Sequence, residues 1–188
     1  LFEKTNGNPF FVTEVLASAG QDVPRNVQDA VMARLRHLSV SSVLLCERVS
    51  VTPGHVELAL VRHGPEGAGM NIDDAIDECV KVGVLQIHGD TVRFRHELAR
   101  LAVHEMVLPQ RRRKLHADAL QALLNDPGVT RARLVYHAAQ AGQVDKVLQF
   151  APLAGADAAR LGAHREAAAH YGVALSHAQY ASLQVQAE

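Results

Sequence analysis

The spacing of hydrophobic residues changes from a strand pattern to a helix pattern within residues 92–107. Val92 and Phe94 alternate with arginines, which is typical of a half-buried strand. From residue 97 onward, hydrophobic side chains recur every three or four positions, as on one face of a helix. The pattern predicts a strand that is followed directly by a helix, with His96 between them.

Capping residues and hydrophobic spacing predict further helices before this strand. Asn8-Pro9 begins the first, with asparagine as the N-cap and proline at the first helical position. Ser39 and Asn71 are the expected N-caps of two others. Glycines and the run Thr52-Pro53-Gly54 mark breaks. The predicted helices cover residues 9–19, 24 to about 35, 40–51, 55–64 and 72–82.

Two short strands joined by Gly89-Asp90 predict a β-hairpin. Glycine at the first turn position suits a type II′ turn. The resulting register pairs Ile87 with Val92 and Leu85 with Phe94. All four side chains would then share one face, which helices must cover.

Three helices followed by a hairpin are the order of a winged-helix domain, which we place at about residues 39–108. The hairpin is then the wing, and the helix over 72–82 occupies the position of the recognition helix. The predicted fold class is therefore mostly α, with a winged-helix domain that contains one β-hairpin.

Only helices are predicted after residue 96. Their extents are 96–107, 110–125, 130–141, 144–161 and 164–180. Residues 148–181 can be aligned with one tetratricopeptide-like repeat, which is about 34 residues long. This alignment places Gly155, Ala158, Gly162, Ala167, Tyr171 and Ala174 at that repeat's small and aromatic positions. Because one repeat cannot bury its own hydrophobic face, residues 109–188 are predicted to be the truncated start of an antiparallel helical-repeat array.

Composition narrows the classes of function. Hydrophobic residues make up 48% and aromatic residues 4%, which favours globular helices packed on small side chains. A net charge of −1 gives no overall attraction to nucleic acid or membranes. Cys46 and Cys79 lie in hydrophobic segments without metal-binding spacing, which indicates buried thiols in a reducing compartment. With no secretory signal and no membrane-length apolar run, we expect a cytoplasmic chain without a membrane partner.

Three stretches resemble one group of bacterial regulators. They are GNPFFVTEVL, VPRNVQDAVMARLRHLS and VRFRHELARLAVHEMVLPQRRRKLHADAL. They look like the signal-transduction ATPases with numerous domains (STAND), and more narrowly like LuxR-type transcription regulators with an AAA-like ATPase module. That resemblance implies the order ATPase core, small helical domain, winged helix, helical repeats and, often, a DNA-binding helix-turn-helix.

On this resemblance the chain is a fragment that begins after the ATPase core, so residues 1–38 would be a helical linker or lid region. The sequence contains no GxxxxGK[ST] phosphate loop and no aspartate-ended hydrophobic strand to hold magnesium. We therefore expect no enzymatic activity and no cofactor here. The parent protein would bind ATP or ADP with magnesium. The partner of this chain would be the upstream ATPase core. DNA would be bound only by a helix-turn-helix beyond Glu188.

Two family motifs fall inside the chain. Gly7-Asn8-Pro9 matches the GxP motif, whose proline packs near the adenine. FRHEL, residues 94–98, resembles the methionine–histidine–aspartate motif, whose histidine reaches the β-phosphate of ADP. The helix N-terminus after His96 suits a phosphate, although the histidine could instead only cap its helix. The resemblance implies Gly7, Asn8, Pro9 and His96 as nucleotide contacts in the parent, and Arg95 and Glu97 as interface residues.

The run QRRRK, residues 110–114, places cations at a helix N-terminus, where they oppose the helix dipole. We expect Arg111, Arg112 and Arg113 to face an acidic neighbouring domain, with a solvated helix face as the alternative. No histidine spacing suits a metal site, so none is predicted.

The predicted function is that of a regulatory fragment that transmits the ATP or ADP state of an ATPase through the winged helix to the repeats. The alternative is a helical scaffold that binds a protein or a small inducer without nucleotide coupling. Direct DNA binding by the winged helix is least favoured. The recognition-position helix carries Asp73, Asp74, Asp77 and Glu78 against one lysine, and these charges repel a duplex.

Overall fold

The computed structural model describes the backbone of residues 25–62 and 71–187, and side chains over 28–62 and 71–179. The first predicted helix, over residues 9–19, lies outside the described residues. The described chain is mostly helical, with a three-stranded antiparallel sheet. It divides into two compact units, Leu1–Pro109 and Gln110–Glu188.

Local sequence signals account for the boundaries of these elements. The first unit contains α1 (Arg25–Leu35), α2 (Val40–Ser50), β1 (Val56–Glu57), α3 (Leu58–Arg62), α4 (Ile72–Lys81), β2 (Leu85–His88), β3 (Thr91–Phe94) and α5 (Glu97–Met106). Two predicted N-caps are confirmed, because the Ser39 side chain accepts a hydrogen bond from the Ser42 amide and Asn71 accepts one from Asp74. Gly83, with φ of 74°, follows α4 and takes the left-handed conformation that favours glycine.

The predicted hairpin register is confirmed. Leu85 pairs with Phe94 and Ile87 with Val92, and Gly89 begins the turn with a positive φ of 56°. Two expectations were wrong in detail. The first is that the four paired side chains share one buried face, because Ile87 is 45% exposed. It lies on the edge strand β2 next to the turn, whereas Val92 lies on the central strand β3.

The second correction is that the sheet has three strands and not only one hairpin. The segment predicted as a helix over 55–64 begins with β1, whose Val56 pairs with Val92 of β3. The helix proper, α3, starts only at Leu58, whose amide donates to the Asp90 carbonyl at 2.8 Å. A strand of two residues is too short to show alternation, and its partner lies far along the chain, so local periodicity misses it.

The core of the first unit lies between the helices and the sheet. Side chains from α2, α4, α5 and the strands form one buried hydrophobic cluster, in which Leu45, Leu85 and Val92 are almost completely buried. Cys46 and Cys79 belong to the same cluster and are both free thiols, as expected from their hydrophobic neighbours. The cluster connects β3 to α5 and so fixes the junction at His96.

The second unit, in its described part, consists of helices. They are α6 (Pro109–Leu124), α7 (Arg131–Ala141), α8 (Val144–Arg160) and α9 (His164–Ala187). These follow the predicted segments, except that α9 extends past residue 180. Gly142 ends α7 with φ of 73°. The α8–α9 contact is close, because a Cβ atom on Gly155 would lie 2.8 Å from the Tyr171 ring.

Candidate functional site

The predicted nucleotide contacts divide into a described and an undescribed part. Gly7, Asn8 and Pro9 lie outside the described residues. His96, with its neighbours Arg95 and Glu97, is described and forms the junction between β3 and α5. The candidate site is therefore this junction, which we call the strand–helix junction (residues 95–97).

His96 is the N-cap residue of α5 and has extended backbone angles, φ −131° and ψ 130°. Its carbonyl accepts hydrogen bonds from the amides of Ala99 and Arg100, at 3.0 and 3.2 Å. The imidazole makes no capping hydrogen bond to the helix. The backbone of His96 therefore closes the first turn, and side-chain capping does not explain why a histidine stands here.

Arg95 holds the junction against the start of the hairpin. Its amide donates to the Val84 carbonyl at 3.0 Å, while its side chain is exposed. The Arg95 Nη1 atom lies 3.2 Å from the position that a Cβ atom on Gly83 would occupy. A side chain at position 83 would therefore be strained by its positive φ and crowded by the guanidinium.

Glu97 takes part in an ion pair inside the first unit. Its Oε1 lies 2.7 Å from Nη2 of Arg100 and accepts from Nε at 2.8 Å. The Arg100 side chain is only 7% exposed, and its Nη1 donates to the carbonyl of Ser50, the last residue of α2. A cation at the carboxyl end of α2 also complements that helix dipole. The pair thus ties α5 to α2, which the sequence reasoning did not predict.

A second polar connection joins α4 to the start of α2. The Glu78 carboxylate accepts hydrogen bonds from the Ser39 amide at 3.0 Å, from the Ser39 hydroxyl at 2.6 Å and from the Ser42 hydroxyl. These bonds, those of Ser39 first, lower the pKa of Glu78 from its usual range. This acidic side chain of α4 therefore serves packing within the first unit.

The predicted basic run lies in the first turns of α6. Arg111 and Arg112 are half-buried, Arg113 is exposed, and Lys114 pairs with Asp118 at 2.7 Å. The pair with Asp118 offsets part of the positive charge from within the same helix. The prediction that these arginines face an acidic domain stays a prediction.

A buried histidine pair lies between α6 and α7 and was not expected from the sequence. The Nδ1 atoms of His116 and His137 are 3.1 Å apart, and each side chain is 1% exposed. Burial, and then the nearby Arg133 cation, lower the pKa of His137 to about 4. The only available signal was helical spacing, since both histidines fall on hydrophobic faces.

The second unit also contains an open groove of ≈ 680 Å³ between the start of α7, α8 and the start of α9. Hydrophobic side chains, including Leu134 and Phe150, line one part of it. The carboxylate of Asp157 lies in another part and pairs with both Arg131 and Arg160. The groove thus offers apolar surface beside two guanidinium groups.

Within the described residues, no group of three or more His, Cys, Asp or Glu side chains is placed to hold a metal ion. No described helix has the length and apolar character that crossing a bilayer requires. No family model, curated protein or solved structure matches the chain.

Proposed function

We propose that this chain is the regulatory part of a nucleotide-switched bacterial transcription regulator of the STAND class. In this proposal the first unit is a winged helix that transmits the ATP or ADP state of an upstream ATPase core to tetratricopeptide-like helices in the second unit. The chain itself does no chemistry. The order of α2, α3 and α4 followed by a hairpin supports the winged-helix assignment, and the short strand β1 only widens the wing.

The observation that carries the proposal is the position of His96. It lies at the start of a ten-residue helix, directly after the wing, where backbone N–H groups and the helix dipole favour a phosphate. An imidazole here can donate a hydrogen bond to an ADP phosphate of the core. Replacement of ADP by ATP would then change this contact and release the first unit, as expected of a switch between two states.

The test is the retention of ADP by the intact parent protein carrying His96→Ala. Loss of a hydrogen bond to a charged phosphate is expected to weaken ADP binding by about tenfold to a hundredfold and to raise basal transcriptional output. His96→Gln, which keeps a donor, should retain part of the affinity. Binding of labelled ADP and a reporter assay measure the two effects.

The matched control is His88→Ala, because His88 is an exposed histidine on the hairpin that precedes His96. It should leave both ADP binding and output unchanged. If His96→Ala also leaves both at the parent value, His96 is not the nucleotide contact and the proposal fails at its main point.

The acidic surface of α4 argues against DNA as the ligand of this winged helix. Asp73, Asp74 and Asp77 are exposed on α4, and Arg62, at the end of α3, pairs with Asp73 at 2.8 Å. A helix that enters a groove of DNA needs basic or amide side chains on its exposed face.

The groove of the second unit favours one further candidate function, a helical scaffold that binds a protein segment or a small inducer. Its apolar wall and its two arginines offer the mixture of contacts that such ligands use. Here nucleotide would have no influence on binding. The two proposals differ in one expected result. Substitution of His96 changes the transcriptional output of the parent protein if the chain is a switch, but not if it is a scaffold.

For this candidate we expect Arg131→Ala together with Arg160→Ala to abolish retention of a ligand found by screening the chain. Arg165→Ala is the control, since Arg165 is exposed on α9 but does not line the groove. A thermal-shift screen read by tyrosine fluorescence reports ligand binding in this unit, because all three tyrosines lie beyond residue 110. If the double variant and the Arg165→Ala control lose ligand equally, the groove is not the binding site.

A further inference from the structure

The sulfur atoms of Cys46 and Cys79 lie 3.6 Å apart in the core of the first unit. Cys46 is in α2 and Cys79 is in α4, and both are free thiols with no exposed surface. A disulfide needs an S–S distance of about 2.05 Å. The two sulfurs would therefore have to approach by about 1.5 Å for the bond to form.

Polar contacts at the same interface hold the two helices in a fixed register. The Ser42 hydroxyl, one turn before Cys46, donates its single proton to the Glu78 carboxylate and lies 3.2 Å from the Ala75 carbonyl. The Cys79 thiol lies 3.6 Å from the Ser42 carbonyl. Because these contacts lie beside the sulfur atoms, they hold α2 and α4 in a register that keeps the two thiols next to each other.

We propose that Cys46 and Cys79 are a reversible oxidation site, at which hydrogen peroxide converts the two thiols into an intramolecular disulfide. In the first step, the Cys79 thiolate attacks one peroxide oxygen and the O–O bond breaks. The departing hydroxide takes up the thiol proton as water, and a sulfenic acid remains. In the second step, Cys46 attacks the sulfenic sulfur, the S–S bond forms and the S–O bond breaks. A second water leaves with the remaining proton.

The position of each cysteine in its helix decides the order of reaction. Cys79 lies in the last turn of α4, which ends at Lys81, whereas Cys46 lies in the middle of α2. Helix ends open more often than helix centres, so peroxide reaches Cys79 first. The contact between the sulfurs agrees with this order, since it lowers the pKa of Cys79 and, together with burial, raises that of Cys46.

The experiment treats the full chain with hydrogen peroxide, alkylates remaining thiols in denaturant and maps the products by mass spectrometry. We expect a cross-linked pair of peptides containing Cys46 and Cys79, removed by a dithiol reductant. The oxidised first unit should melt about 10 °C higher, because the cross-link restricts the unfolded chain. Circular dichroism before treatment checks that each variant is folded.

Two single variants separate the roles. Cys46→Ala should leave a sulfenic acid on Cys79 that dimedone traps, and Cys79→Ala should leave Cys46 unmodified at the same peroxide concentration. A chain that forms no cross-link, although its thiols alkylate fully once unfolded, overturns the proposal. If dimedone labels Cys46 in the Cys79→Ala variant as fast as it labels Cys79 in the Cys46→Ala variant, the proposed order of reaction is wrong.

Discussion

Glu97→Ala is expected to lower the free energy of unfolding of the first unit by about 3 kcal/mol, because it leaves a buried cation without its counter-charge. The Arg100 guanidinium is 7% exposed and binds Glu97 and the Ser50 carbonyl. Without the carboxylate, the carbonyl alone must compensate the desolvated charge. The cost arises from the remaining arginine, since the Glu97 side chain itself is 31% exposed.

A double variant tests this explanation. If the unpaired cation is the cause, Glu97→Ala with Arg100→Met should be more stable than Glu97→Ala alone by about 1–2 kcal/mol, since methionine fills the site without a charge. Urea unfolding of the first unit, monitored by hydrogen exchange of the amides of α2 and α5, measures the stability of the single and of the double variant. Glu105→Ala, which removes an exposed carboxylate from the same helix, should change stability by less than about 0.5 kcal/mol. A single variant as stable as this control would contradict the assignment.

The ion pair also affects how substitutions at the strand–helix junction are interpreted. Glu97 occupies the position of the aspartate in the resembled motif, and its carboxylate is already engaged within the unit. A loss of regulation in Glu97→Ala could then come from loosened packing of α5 on α2. His96→Ala is the cleaner probe, because the backbone carbonyl of residue 96 still closes the first turn of α5.

Those parts of the fold that depend on neighbouring residues could be predicted from the sequence. Ser39 and Asn71 cap their helices because a short polar side chain can reach an amide two or three residues further on. The hairpin register follows from its two-residue turn, so Leu85 faces Phe94 as expected. In both cases the interacting groups are close in sequence, and the local pattern contains the information.

Contacts between distant segments could not be predicted in this way. The strand β1 exists because β3 offers it hydrogen-bond partners, and two residues carry no recognisable period of their own. The Cys46–Cys79 contact depends on the packing of α2 on α4. The spacing of Glu97 and Arg100 suggests a pair within one helix, yet it does not show that Ser50 receives the arginine.

The candidate site was predicted from the family resemblance, and the residue pattern alone predicts only the position of His96. His96 could be placed at a strand–helix joint from periodicity alone, and it is found there. A phosphate partner follows only from the resemblance and from the general affinity of helix N-termini for anions. Gly7, Asn8 and Pro9 lie outside the described residues, so their predicted contacts stay a prediction.

Acid is expected to destabilise the second unit through the buried histidine pair. The pKa of His137 is lowered to about 4 in the folded chain, whereas an unfolded histidine has a pKa of about 6.5. Between these values the unfolded chain binds more protons, so its population grows as the pH falls. The stabilisation is complete above about pH 6.5 and is lost progressively down to about pH 4. The loss over this window amounts to about 3 kcal/mol.

Tyrosine fluorescence makes this effect measurable in the intact chain. The chain has no tryptophan and its three tyrosines, at 136, 171 and 180, all belong to the second unit. Urea titrations between pH 7.5 and 4 should show a falling midpoint for the natural chain. His137→Gln should be less stable by about 1 kcal/mol at pH 7.5, because it disturbs the contact with His116.

The variant should nevertheless become the more stable chain below about pH 5.8, because glutamine has no proton to gain. This crossing distinguishes titration of His137 from a general effect of acid on carboxylates, which both chains share. His164→Gln, at an exposed histidine of the same unit, should follow the natural chain throughout. Parallel curves for the natural chain and His137→Gln would show that the buried pair does not govern acid stability.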